Sequence, residues 1–189
     1  MTGDTLGAAP PALLDRLHDR APGYFTDADI DALPEGYGYE LVDGMLLVSP
    51  APGKAHQQVL GRLHVQLMAA NPDSLAVMLP PFDYKPDPDT TWQPDLLIAV
   101  DDEIGEKRLE GRPLLVVEIR SGRGLKDRSL KKASYEEAGV PTYWVVDPIE
   151  PSLSVLELDD EGRYAETARL VGDGSLVVDR PFPVTVSLR

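Results

Sequence analysis

The apolar residues of this chain follow two distinct periods. Val59, Leu60, Leu63, Leu67 and Met68 recur at short helical intervals, which lays them along one stripe of a helix over residues 56–70. Elsewhere the apolar residues come in short runs bounded by turn formers, as strands do. Tyr39-Glu40-Leu41-Val42 and Met45-Leu46-Leu47-Val48 flank Asp43-Gly44, a pair suited to a tight hairpin turn. Further strands are predicted over residues 75–79, 92–100, 114–120 and 140–148, and residues 153–158 and 163–170 flank Asp159-Asp160-Glu161-Gly162 as a C-terminal hairpin. Thr26 caps a short helix that ends before Pro34. A basic helix over residues 126–138 stops at Gly139, where a left-handed residue is expected. Residues 83–91, acidic and proline-rich, read as a loop, and residues 1–22, rich in Ala, Pro, Gly and Asp, as a flexible arm. Helix, strands, helix and strand again is the order of an α/β sandwich around a mixed sheet, and residues 23–189 are expected to form it as a single domain.

Two of the strand runs carry a carboxylate amid apolar neighbours. Asp95 stands ahead of Leu96-Leu97-Ile98-Ala99-Val100, and Glu118 lies inside Leu114-Leu115-Val116-Val117-Glu118-Ile119. Burying a charge is costly unless something neutralises it, and one divalent cation shared by both groups would do so. Neighbouring strands lie about 4.8 Å apart, so two carboxylates in register on one face could grip a single ion. Arg120, two residues beyond Glu118, projects from the same face. Lys131 shares a helical stripe with Asp127 and Tyr135, so it can serve that site or make an ordinary surface ion pair.

The chain has 189 residues and is 42% hydrophobic, enough for one complete core. It has no cysteine, which excludes disulfides and thiolate-bound zinc or iron–sulfur clusters and suits a reducing cytoplasm. No basic segment leads into an apolar run at the N-terminus, and every apolar stretch is strand-sized, so neither a leader nor a membrane span is expected. The formal net charge of −14 opposes a generally basic surface of the kind that coats nucleic acid. The distribution is uneven, however: nine of the eighteen Lys and Arg residues fall between Gly105 and Tyr135, beside the two carboxylates. Lys126 and Arg128 are therefore candidate contacts to a polyanion, and His56, near the entrance of the long helix, is a candidate cap or substrate contact. Ser121-Gly122-Arg123-Gly124 lies between a strand and a helix, but it lacks the Gly-Lys-Ser/Thr ending of a nucleotide-phosphate loop and the third glycine of a dinucleotide fingerprint.

Pro94-Asp95, a spacer of 22 residues and Glu118-Ile119-Arg120 nearly match the Pro-Asp…Asp/Glu-x-Lys signature of restriction-endonuclease-like phosphodiesterases. Tyr39-Glu40-Leu41-Val42-Asp43-Gly44, Ser49-Pro50 followed by His56, Pro94-Asp95-Leu96, Val117-Glu118-Ile119-Arg120-Ser121, Lys131 ahead of Tyr135, and Ala138-Gly139-Val140-Pro141-Thr142-Tyr143-Trp144-Val145-Val146-Asp147-Pro148 stand in that order. Together they resemble the Uma2 family of bacterial endonucleases, within the PD-(D/E)XK superfamily, over residues 25–160. The resemblance implies a restriction-endonuclease-like fold: a mixed central sheet flanked by helices, with additional N-terminal and C-terminal β-hairpins. It implies a site for Mg²⁺ or Mn²⁺ on Asp95 and Glu118, with the Ile119 carbonyl as a third ligand and Glu40 nearby, and DNA as the partner. In this family the position two after the strand Glu is commonly apolar and the catalytic lysine is placed on the following helix, which points to Lys131. Arg120 departs from that pattern.

Phosphodiester hydrolysis needs an activated water and stabilisation of charge on the transition state, both of which a metal provides. A lysine can orient or deprotonate the water, whereas an arginine stays charged and is suited to clamping a phosphate oxygen, so Lys131 and Arg120 can divide these roles. The competing expectation is a non-catalytic accessory module that keeps the fold and acts as a homodimer, motivated by the acidic surface and the Glu-x-Arg departure. A nucleotide-phosphate binder using the glycine turn comes third.

Overall fold

The computed structural model of the chain describes residues 25–33, 37–49, 51–120 and 125–189, the side chains of residues 125–128 excepted. The expected arm over residues 1–22 and the glycine turn over 121–124 lie outside these. The chain divides into two compact units, Met1–Ala51 with Asp87–Trp92, and Pro52–Pro86 with Gln93–Arg189.

The smaller unit is built on the hairpin expected at Asp43-Gly44. Helix α1 (Asp27–Ile30) precedes strands β1 (Gly38–Val42) and β2 (Met45–Ser49), which pair antiparallel with Val42 opposite Met45. Asp43 at φ 48° and Gly44 at φ 70° supply the two left-handed residues that a two-residue turn needs to match strand twist. The Thr26 amide and hydroxyl both donate to Asp29 Oδ2, at 2.9 and 3.0 Å, closing the start of α1 as its sequence predicts.

The larger unit holds helix α2 (Lys54–Ala70), strands β3 (Leu75–Met78), β4 (Asp83–Asp87), β6 (Leu96–Val100), β7 (Arg108–Leu109) and β8 (Leu115–Ile119), helix α3 (Leu125–Glu137), and strands β9 (Thr142–Asp147), β10 (Ser152–Leu158), β11 (Tyr164–Val171), β12 (Ser175–Val178) and β13 (Val184–Ser187). Six of these strands form one sheet in the order β11-β10-β9-β8-β6-β3. Only β8 and β9 run parallel within it. A parallel pair needs a crossover, and α3 provides it.

Residues 83–91 differ from the expected loop. They contain β4, which pairs parallel with β7, and the first two residues of β5 (Thr90–Trp92), whose Thr91 lies opposite Leu41 of β1. The prolines hide an alternation: Phe82 and Tyr84 are buried while Asp83 and Lys85 are less so, a period of two that is the mark of a strand. The β12–β13 hairpin was likewise not expected beyond residue 170.

Alternate residues divide the sheet into two faces. Leu96, Ile98, Leu115, Val117, Trp144 and Val146 face a core that includes Val59, Leu63 and Leu67 of α2 and Val184 and Val186 of β13. The Gln66 amide fastens β13 to α2, accepting from the Ser187 amide at 2.7 Å and donating to the Ser187 carbonyl at 3.0 Å. On the other face a row of tyrosines ties α3 down. The Tyr135 ring lies 5.4 Å from that of Tyr143 and 6.4 Å from that of Tyr84, and Tyr143 in turn lies 5.6 Å from Tyr164. Among the described residues no helix is long and apolar enough to cross a membrane.

Tyr164 closes the end of α3. Its hydroxyl donates to the Val140 carbonyl at 2.7 Å, and its amide donates to Glu136 Oε1 at 2.6 Å. Burial, then the nearby Glu136 and Tyr84, push the phenol above its ordinary range. The folded state therefore holds this proton more tightly than the unfolded chain does. The resulting stability is complete below the unfolded value near 10 and declines as pH rises through the folded one. Tyr164→Phe should cost about 1–3 kcal/mol in urea unfolding at neutral pH, because it strands a buried carbonyl. It should also flatten the alkaline fall in stability relative to the parent protein; an unchanged alkaline slope would remove Tyr164 as its source.

Candidate active site

The antiparallel register of β6 and β8 sets Leu96 opposite Val117. Continued by one residue, it sets Asp95, at the entry to β6, across from Glu118.

Each carboxylate is held by donors from neighbouring elements. Asp95 Oδ2 accepts the Ile119 amide at 2.7 Å, and Asp95 Oδ1 lies 3.0 Å from His56 Nε2. The Asp95 side chain is 18% exposed and that of His56 7%. His56 stands in the first turn of α2, so a helix and a strand reach this carboxylate from separate directions. Its other ring nitrogen, Nδ1, is buried with no hydrogen-bond partner among the described residues.

Glu118 is gripped from α3. Lys131 Nζ donates to Oε1 at 3.0 Å and to Oε2 at 3.1 Å, and the Tyr135 hydroxyl donates to Oε1 at 2.9 Å. Lys131 and Tyr135 are four residues apart, so one helix face presents both. With the Lys131 and Glu118 side chains 10% and 16% exposed, the pair is largely withdrawn from water. Such a pair yields modest net stability while intact, yet removing one partner strands the other charge. Lys131 thus meets Glu118 in a largely buried pair.

Arg120 takes a different partner. Its guanidinium Nη1 donates to Asp147 Oδ2 at 2.6 Å, while Asp147 Oδ1 accepts the amides of Ile149 and Glu150. The Arg120 amide donates to the Val146 carbonyl, continuing the β8–β9 ladder, and the side chain is 40% exposed. Glu40 is buried in β1 of the smaller unit. Lys126 and Arg128 belong to the first turn of α3, and their side chains lie outside the described residues. Tyr135 was not among the residues expected at the site. Its spacing from Lys131 was the available signal, and what it lacked was the knowledge that this stripe faces Glu118.

Two carboxylates and a neighbouring backbone carbonyl form a set of hard oxygen donors, the chemistry that suits Mg²⁺ or Mn²⁺. Hydrogen bonds do not exhaust carboxylate oxygens, each of which has two lone pairs. Among the described residues no group of three or more His, Cys, Asp or Glu side chains could hold a metal by itself, so a cation here would need the carbonyl and water to complete its shell.

A six-stranded mixed sheet with α2 packed on one face and α3 on the other is a restriction-endonuclease-like architecture. The fold is similar to the solved structure of a putative nuclease of DUF820 from Anabaena variabilis, with a TM-score of 0.65 and 18% identity, covering 82% of this chain and 89% of that one. No curated protein matches the chain. Residues 27–189 match the family model of Uma2, described as "Putative restriction endonuclease", and the chain belongs to that family.

Tyr135→Phe should lower unfolding free energy by about 1.5–3 kcal/mol, the range for a hydrogen bond to a charged group. In a Glu118→Leu background the same change should cost much less. Equal losses in the two backgrounds, measured as a double-mutant cycle, would show that the tyrosine acts through packing alone.

Proposed function

We propose that this protein is a metal-dependent endonuclease that hydrolyses phosphodiester bonds in DNA, with Asp95, Glu118 and the Ile119 carbonyl holding Mg²⁺ or Mn²⁺. The observation that carries this reading is the register that sets Asp95 across from Glu118, with the Lys131 ammonium on the same carboxylate. Membership in a family described as restriction endonucleases supports the same reaction class. A bound divalent ion would supply Lewis acidity and a more acidic water.

The chain's own groups supply the rest. Lys131 is within reach of whatever Glu118 binds, and its ammonium can orient the attacking water or offset charge on the phosphoryl oxygens. Arg120 is charged at any working pH and forked, so it suits a phosphate oxygen better than a proton-transfer role. Lys126 and Arg128 would track the backbone of the nucleic acid electrostatically. The role assigned to Glu40 rests on family resemblance. Absence of cysteine fits a cytoplasmic setting. A second reading, a non-catalytic module on the same fold, draws on one observation: Lys131 already neutralises Glu118 without any ion.

Calorimetry separates the two. Mn²⁺ should bind the parent protein and be lost in both Asp95→Asn and Glu118→Gln; unchanged affinity in both folded variants would sink the shared site and favour the module. Lys131→Met should abolish single-turnover cleavage of plasmid and single-stranded DNA, yet bind Mn²⁺ at least as tightly, since it removes a competing cation while sparing both ligands. Arg120→Leu should retain substantial cleavage. The reverse pattern, active Lys131→Met and inactive but folded Arg120→Leu, would move the catalytic cation to Arg120.

A further inference from the structure

Hydrolysis assisted by Asp95, Glu118 and Lys131 makes no demand for a histidine, yet His56 is buried at 6% exposure with its Nε2 3.0 Å from Asp95 Oδ1. Its Nδ1 is also buried and, among the described residues, has no hydrogen-bond partner. An unsatisfied buried nitrogen is a cost that leucine at the same place would not incur, and a group retained at such a cost needs an account. The second contact to Asp95 offers one. The Ile119 amide holds Oδ2 at 2.7 Å from β8, which fixes one oxygen but leaves the carboxylate plane free to turn about that bond. A donor on Oδ1 from a different element removes that freedom. Nε2 must carry the donated proton, because its lone pair would otherwise face a carboxylate oxygen.

We propose that His56 is a positioning residue that orients Asp95 for cation binding without touching the ion or the DNA; the inference rests on the reading of Asp95 as a metal ligand. Supporting donors of this kind tune a ligand's orientation, and their loss typically weakens metal affinity about 10–100-fold. The burial of His56 also separates this role from direct contact with substrate.

The test compares Mn²⁺ affinity and thermal stability in His56→Leu and His56→Gln, alongside the parent protein and Asp95→Asn. Glutamine can place its Nε2 amide near the imidazole Nε2, so it restores the donor that leucine lacks. His56→Leu should bind Mn²⁺ about 10-fold more weakly while melting at or above the parent temperature, and His56→Gln should recover most of the affinity. A structural role would instead lower the melting temperature, with no rescue of affinity by glutamine, and that result overturns the proposal. So does undiminished Mn²⁺ affinity in His56→Leu when Asp95→Asn has lost it. If the parent protein itself binds no Mn²⁺, the metal-site reading fails first and this inference falls with it, which distinguishes the two failures.

Discussion

Strand β8 sits inside the six-stranded sheet between β6 and β9, and it must nonetheless accommodate a carboxylate. Leu115, Val117 and Ile119 fill the core on one face, which commits Glu118 to the other. There the ammonium of Lys131 and the hydroxyl of Tyr135 meet it. This arrangement constrains much around it. It fixes the rotation of α3 about its axis, because both donors must point at β8, and that rotation brings the Tyr135 ring onto Tyr143. It also depends on the parallel β8–β9 pairing, since α3 is the crossover between those two strands. Neutralising one charge and docking the connecting helix are accomplished by the same two side chains.

The opposite carboxylate is handled without a full charge of opposite sign from a lysine or arginine. Asp95 takes a backbone amide and an imidazole nitrogen, so its neutralisation is left less complete than that of Glu118. Across the register, Glu118 is by contrast already bound to an ammonium.

Much of this was legible in the chain. Helix α2, the Asp43-Gly44 hairpin, β6, β8 and the left-handed Gly139 follow local rules that tertiary packing did not overturn. Strands β4 and β5 were obscured because proline and aspartate outweigh a short alternation carried by Phe82 and Tyr84. Pairings such as β4 with β7 bring together segments whose partners local patterns do not specify. Lys131 was visible as a candidate, but its contact with Glu118 depends on which stripe of α3 faces the sheet. The contact of His56 with Asp95 spans 39 residues of sequence and depends on how α2 enters the fold. No spacing rule encodes it.

Helix α2 has its site residue in the first turn and Gln66 near the opposite end, where the amide is bonded to Ser187. A helix of 17 residues is about 25 Å long and bends little over that distance. It behaves as a strut, and the final strand of the chain is its far anchor. The carboxyl-terminal residues thus exert leverage on a carboxylate they never approach. Changes at Ser187, even ones that leave the sheet intact, would reach His56 and Asp95 as a small tilt of this strut.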